Sequence, residues 1–214
     1  MTHTNLITGY LLQSKAIKLE PAKPFTWASG WKSPIYCDNR ITLSYPEIRT
    51  AIRDAFVTKI KTYFPAVEAI VGVATGAIAQ GVLVAEELNL PFAYVRSAPK
   101  AHGMGNLIEG KVELNQKVVV IEDLVSTGGS SLQAVEALRS AGAIVLGMAA
   151  IFTYQFKIAV DNFKTSNCDL VTLTNYDELI DLALSTNYIQ SEQVPVLKDW
   201  RLNPDTWKQN SKAE

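Results

Sequence analysis

Residues 118–131 read VVVIEDLVSTGGSS. Val118–Ile121 is a short run of β-branched side chains with no polar break, which predicts a strand covered on both faces. Two acids follow, Glu122 and Asp123. Leu124, Val125, Ser126, Thr127, Gly128, Gly129 and Ser130 then lead into a stretch with helical periodicity, from about Gly129 to Ser140. A buried strand that ends in charge and turns through small residues into a helix is half of a parallel β-α-β unit.

The alternation continues on both sides of this stretch. Ala69–Val73 and Phe92–Val95 read as strands, with a helix over Ala77–Leu88 that stops near Asn89-Leu90-Pro91. Downstream, Ile144–Phe152 and Leu170–Leu173 read as strands and Ile158–Phe163 and Tyr176–Leu184 as helices. Upstream, Pro46 opens a helix to about Phe64 with Ile48, Ile52, Phe56 and Ile60 on one stripe. Asn5–Ala16 has the spacing of a short amphipathic helix, whereas Glu20–Arg40, with Pro21, Pro24, Pro34 and Ser29-Gly30, reads as turns and short strands. The expected fold class is α/β, a parallel sheet covered by helices on both faces. In such sheets ligands sit beyond the carboxyl ends of the strands, which directs attention to the loops at Ala74, Arg96, Asp123 and Thr153.

Composition narrows the possibilities. The chain has 214 residues, 48% hydrophobic and 19% charged, in the range of ordinary globular proteins and long enough for one sizeable domain. A formal charge of −1 provides no overall positive field for nucleic acid or an anionic membrane, so neither is expected as a partner. Any bound anion needs a local site. Cys37 and Cys168 stand far apart without clustered histidines, which argues against a zinc site or disulfide framework and suits a reduced, cytoplasmic setting. No signal-peptide pattern opens the sequence, and no apolar run approaches the ~18 residues of a membrane span.

The chemistry of residues 122–130 lies in the pairing of its halves. Small residues, hydroxyls and backbone N–H groups at a helix N-terminus suit a phosphate monoester. Carboxylates repel phosphate, so Glu122 and Asp123 need another task, and accepting hydrogen bonds from vicinal ribose hydroxyls is one. Between the second and third strands runs RSAPKAHGMGNLIEGK, residues 96–111, longer than a simple turn. It has no acid before Glu109, carries Arg96, Lys100 and His102, and contains Gly103, Gly105 and Gly110. Such a segment suits closure over an anionic leaving group and exclusion of water.

The 118–131 run resembles the phosphoribosyl pyrophosphate-binding motif of the type I phosphoribosyltransferases: hydrophobics, two acids, variable apolar residues, then Thr/Ser, small, Gly, small, Thr/Ser. Glu122 stands for the more usual Asp. Arg96, Lys100 and His102-Gly103 match the mobile-loop pattern of the orotate phosphoribosyltransferase family, and FTWASGWKSPIYCD (Phe25–Asp38) looks like that family's FTLxSGxxSPxY block. The resemblance covers nearly the whole chain. It implies a type I phosphoribosyltransferase fold, a central mostly parallel sheet flanked by helices with a small N-terminal hood. The single domain would span residues 1–214, with the hood largely from 1–45, the core about 46–186 and a C-terminal tail about 187–214.

The resemblance also implies transfer of the phosphoribosyl group from phosphoribosyl pyrophosphate to orotate, giving orotidine 5′-monophosphate and pyrophosphate in pyrimidine biosynthesis. Lys100 and His102 would be catalytic. Arg96, Lys100, His102 and the run from Glu122 through Ser130 would hold phosphoribosyl pyrophosphate; Ser126, Tyr36 and Tyr154 would hold orotate. Mg²⁺ would accompany the pyrophosphate without dedicated protein ligands, and a homodimer would share its active sites.

Three positions depart from the family pattern. Ala28 stands where Lys often precedes Ser-Gly, Ala74-Thr75-Gly76 where Tyr-Lys-Gly is common, and Tyr154 close to where many members carry an Arg facing the orotate carboxylate. Donors for that carboxylate are then expected from backbone N–H groups near Tyr36-Cys37 and from Ser126. Of the neighbouring aromatics, Phe25 and Trp31 are expected to pack within the hood and Tyr36 to reach the base. Rival phosphate motifs fail, because Gly76–Gly81 has P-loop spacing but is followed by Val82-Leu83 instead of Lys-Ser/Thr. Two alternatives stay open: a phosphoribosyltransferase for another base, and a non-catalytic sensor of phosphoribosyl pyrophosphate.

Overall fold

In the computed structural model, which describes residues 3–27, 29–97 and 107–208, the N-terminal segment forms two layers with different partners. Helix α1 (His3–Gln13) packs on the core, and four short strands follow: β1 (Ile17–Leu19), β2 (Phe25–Thr26), β3 (Lys32–Ser33) and β4 (Ile35–Cys37). β1 pairs with β4 and β2 with β3, both antiparallel, which is the hood. A 3-10 turn over Asn39–Ser44, capped by the Asp38 side chain, leads to α2 (Pro46–Tyr63). Pro at the first turn costs no hydrogen bond there. The stripe Ile48, Ile52, Phe56, Val57 and Ile60 is buried, each such side chain contributing about 1.5–3 kcal/mol.

The apolar runs then become strands of one six-stranded sheet. β5 (Ala69–Val73), α3 (Ile78–Leu88), β6 (Phe92–Val95), β7 (Ile108–Glu109), β8 (Lys117–Val125), α4 (Gly129–Ser140), β9 (Ile144–Thr153), α5 (Lys157–Thr165), β10 (Leu170–Asn175) and α6 (Tyr176–Ser185) follow in turn. The spatial order is β10-β9-β8-β5-β6-β7, parallel except for β7, which runs antiparallel to β6. α3 ends where expected, with Asn89 in the left-handed region (φ 53°) and its N–H on the Ala85 and Glu86 carbonyls. β7 was not expected; two residues are too few to show a period.

α1 is held to the far edge of the sheet by the contact of its Thr8 Oγ1 with Thr174 Oγ1 on β10 (2.5 Å), and to α2 by Tyr10 donating to Glu47 (2.9 Å). It belongs to the core, so the hood proper is residues 17–37. The segment after α6 contains a nine-residue helix of its own, α7 (Val194–Leu202). α7 buries Leu197 and Trp200, and the Trp200 indole packs against Trp27, Tyr154, Phe156 and Tyr176 with ring centroids 5.3–5.7 Å apart. That cluster joins the hood, the end of β9 and the C-terminal segment.

Candidate functional site

Strand order fixes where a ligand can enter. From β5 the chain crosses through α3 to β6 on one side, then returns past β5 to β8 on the other. The reversal between β5 and β8 is a topological switch point, and crevices open there at the carboxyl ends of the strands. β8 outruns its neighbour. Its pairing with β5 ends at Gly72↔Ile121, while pairing with β9 continues through Leu124↔Phe152 and Val125↔Thr153. The sequence reading ended this strand at Ile121; the ten-residue β9 holds it in register four residues further. Glu122 and Asp123 therefore sit on rigid strand backbone above the truncated end of β5.

The two acids have different surroundings. Glu122 is buried, its Oε1 accepting the Asp123 N–H (2.9 Å) and its Oε2 the Ser131 hydroxyl (2.7 Å). Burial, reinforced by the neighbouring Asp123 carboxylate, raises its pKa from 4.5 to about 8. Asp123 is half-buried and sits over the Ala74–Gly76 turn, where a methyl group on Gly76 would run into its carboxylate. A side chain at position 76 would therefore displace the Asp123 carboxylate. Asp123 is the acid at the surface of the crevice, and Glu122 stands behind it.

The 126–130 loop turns on Gly128, whose φ of +82° favours glycine and whose added Cβ would lie 2.9 Å from the Phe163 ring. From α5, Asn162 Nδ2 donates to the Thr127 carbonyl (3.0 Å), fastening the loop from behind. Gly128 is the N-cap of α4 and supplies no side-chain cap, while Gly129 and Ser130 are exposed. The start of a 12-residue helix without a side-chain cap, with the Ser126 and Thr127 hydroxyls adjacent, is suited to an anion. Arg96 lies at the base of the long loop. Its backbone N–H bonds the Leu107 carbonyl (2.9 Å), its guanidinium is 3.5 Å from Glu109, and it lines a small cavity with Ala74, Ser97 and Ser130. Lys100 and His102 lie outside the described residues, as does Ala28.

Beyond Leu124 the crevice opens into a cavity of about 260 Å³ lined by Thr26, Trp27, Tyr36, Cys37, Leu124, Ser126 and Tyr154. Tyr36, Ser126 and Tyr154, all expected at the base, are thus brought together. Tyr36 is 38% exposed, whereas Tyr154 is 2% exposed and wedged among Trp27, Phe152, Phe156 and Trp200. Burial raises the Tyr154 phenol and Cys37 thiol pKa well above their usual values, so both present neutral groups. Phe25 packs on Tyr36 and Trp31 stacks on Trp27, as expected of the hood. The floor is tied to the acids by Asn39, buried, whose Nδ2 donates to the Asp123 carbonyl (2.6 Å).

Sequence reasoning missed several of these contributors: Thr26, Asn39, Ser131, Asn162 and Trp200. Their contacts with the acids, the loop and the cavity are tertiary, and no local spacing announces them.

Comparison with known proteins agrees with the geometry. Residues 42–185 match the family model described as phosphoribosyl transferase domain. The chain is 56% identical over 208 residues to the orotate phosphoribosyltransferase of Cytophaga hutchinsonii, covering 97% of this chain and 100% of that one. It is 59% identical over 202 residues to the orotate phosphoribosyltransferase of Porphyromonas gingivalis, covering 94% and 96%. Among solved structures, the orotate phosphoribosyltransferase of Aeropyrum pernix superposes with a TM-score of 0.74 at 24% identity, over 86% of this chain and 99% of that one, a likeness of fold.

Proposed function

The chain belongs to the orotate phosphoribosyltransferase family, and from that premise we propose how this cleft transfers the phosphoribosyl group of phosphoribosyl pyrophosphate to N1 of orotate. The products are orotidine 5′-monophosphate and pyrophosphate, a step of pyrimidine biosynthesis. The observation that carries the reading is one crevice with two halves. A glycine-bearing loop at a helix N-terminus with two acids before it lies on one side and a largely apolar cavity on the other, and Ser126 belongs to both.

In the reaction the C1–O bond to pyrophosphate breaks, the N1–C1 bond forms with inversion, and N1 loses its proton. Positive charge develops on the ribose ring and negative charge on the leaving group. Catalysis is therefore positioning and electrostatics rather than covalent attack. Asp123 accepts the ribose hydroxyls and faces the cationic ring, with Glu122 and Ser131 holding it from behind. Ser126, Thr127 and the open N–H groups of Gly129 and Ser130 take the 5′-phosphate. Tyr36 and Tyr154 bracket the base, and the neutral Tyr154 phenol and Ser126 hydroxyl are available as donors.

Arg96, with Lys100 and His102, takes the pyrophosphate, and Lys100 and His102 act on the leaving group. The donor set fits Mg²⁺ carried in by the pyrophosphate: the half-buried Asp123 is the carboxylate at the crevice that could hold it, and a cation that keeps much of its water needs few protein oxygens. When bound, it would neutralise charge on the leaving group. The protein works as a cytoplasmic homodimer in which the 96–110 loop completes the partner's site. Small molecules are its only substrates.

Supplying purified protein with phosphoribosyl pyrophosphate, Mg²⁺ and, separately, orotate, uracil, hypoxanthine and adenine tests this. Turnover of orotate alone is expected; turnover of a neutral base without orotate overturns it.

A further inference from the structure

Orotate carries its carboxylate on C6, the ring carbon next to N1. Wherever N1 meets the ribose, that carboxylate lies beside the group holding the ribose, not at the distal end of the base cavity. Yet positions 28, 75 and 154, where the family resemblance leads one to look for cations, hold Ala, Thr and Tyr. Beside the neutral donors near Tyr36-Cys37 and Ser126, a cation that serves this carboxylate would border the Asp123 side of the cavity.

Two cationic side chains are tied to the cavity's surroundings. Lys32 Nζ stands 2.8 Å from Thr26 Oγ1, on the β2–β3 hairpin. Arg40 follows the wall residues Tyr36 and Cys37 on the turn that Asn39 anchors to the Asp123 carbonyl. Its Nε and Nη2 bind the two oxygens of Asp38 (2.7 and 2.9 Å), and its backbone N–H binds Asp38 as well (3.2 Å). Asp38 is 19% exposed and Arg40 60% exposed, so the carboxylate anchors the fork while the guanidinium stays open to solvent. One edge of the fork is engaged, and Nη1 makes no hydrogen bond among the described residues. A guanidinium fixed in plane loses little freedom when a second carboxylate arrives.

Electrostatics agree with this placement. The pKa of Arg40 is raised first by the Asp38 hydrogen bond and charge, and further by the Asp123 carboxylate and the Tyr36 phenol, which brings the ribose acid and the base wall both within its field.

We propose that Arg40, held by Asp38, receives the C6 carboxylate of orotate and sets this site's preference for a carboxylate-bearing pyrimidine. The proposal rests on the orotate reading above. It assigns the role to the ribose side of the cavity rather than to the hairpin side where Lys32 stands.

Initial rates of wild type, Arg40→Ala, Arg40→Lys and Lys32→Ala, with each substrate varied in turn, decide the matter. Arg40→Ala should raise KM for orotate about 10- to 100-fold, as loss of a charged hydrogen-bond pair does, with KM for phosphoribosyl pyrophosphate near wild type. Arg40→Lys keeps the charge without the fork and should fall between the two; it also decides the outcome should the alanine variant fold poorly. Lys32→Ala should stay near wild type. Wild type inactive on orotate overturns the orotate reading and this proposal together. An active wild type with an unchanged orotate KM in both Arg40 variants, or with the loss in Lys32→Ala instead, overturns this proposal alone.

Discussion

The two halves of the crevice are built in opposite ways. The phosphate half comes from one continuous stretch, residues 122–131, held by a strand on one side and a helix on the other. The base half is assembled from residues 26–37, 124–126 and 154, and is backed by Trp200 from the C-terminal helix. One half depends on backbone geometry, with Gly128 at φ +82° and open N–H groups at α4; the other depends on packing of aromatic rings from distant segments. A change in the first should act on the phosphoribosyl donor, and a change in the second on the base and on stability.

Trp200→Ala is the largest perturbation of the base half. Trp200 is fully buried against four aromatic rings, and truncating such a side chain costs about 3–5 kcal/mol. Denaturant unfolding should report that loss. In the surviving folded enzyme KM for orotate should rise more than KM for phosphoribosyl pyrophosphate. Equal shifts in both would erase the distinction between the halves.

Asp123→Asn strikes the other half. It keeps the shape and the Asn39 contact, which uses the backbone carbonyl, but removes the charge facing the ribose. Loss of about 10²–10³-fold in kcat/KM for phosphoribosyl pyrophosphate is expected, with orotate binding at equilibrium little changed. A variant within a few-fold of wild type would remove Asp123 from the mechanism.

Glu122→Gln gives the smallest effect and separates the acid behind from the acid in front. A carboxyl whose pKa rises from 4.5 in the unfolded chain to about 8 in the fold keeps a proton that the unfolded state has lost. Its contribution to stability therefore falls as pH rises through the range between those two values and levels off above 8. Thermal midpoints measured from pH 5 to 9 should decline less steeply in Glu122→Gln than in wild type. Parallel curves would mean that Glu122 is ionised in the fold.

The same contrast explains what could be read in advance. The parallel strands and their helices were legible because apolar runs such as Ala69–Val73 leave little choice of face, and Pro46 and Asn89 mark helix ends. The phosphate half was legible because its function lies in consecutive residues. For the base half, Tyr36, Ser126 and Tyr154 came from family likeness, while Thr26, Cys37 and Trp200 carry no pattern by themselves. α7 was read as tail because nine residues beginning Val194-Pro195 are too few to establish a period, and what fixes the helix is the pocket that receives Trp200. Glu122 and Asp123 were visible as a pair, but which one faces the crevice depends on Ser131 and Gly76, each brought to the acids by the fold.

The most direct test is a structure of the protein with orotate and phosphoribosyl pyrophosphate bound. The account predicts the pyrimidine ring between Tyr36 and Tyr154, the ribose hydroxyls on Asp123 and the 5′-phosphate on the 126–130 loop. A pyrimidine outside the cavity lined by Thr26, Tyr36, Leu124 and Tyr154, or a 5′-phosphate away from the N-terminus of α4, would contradict it.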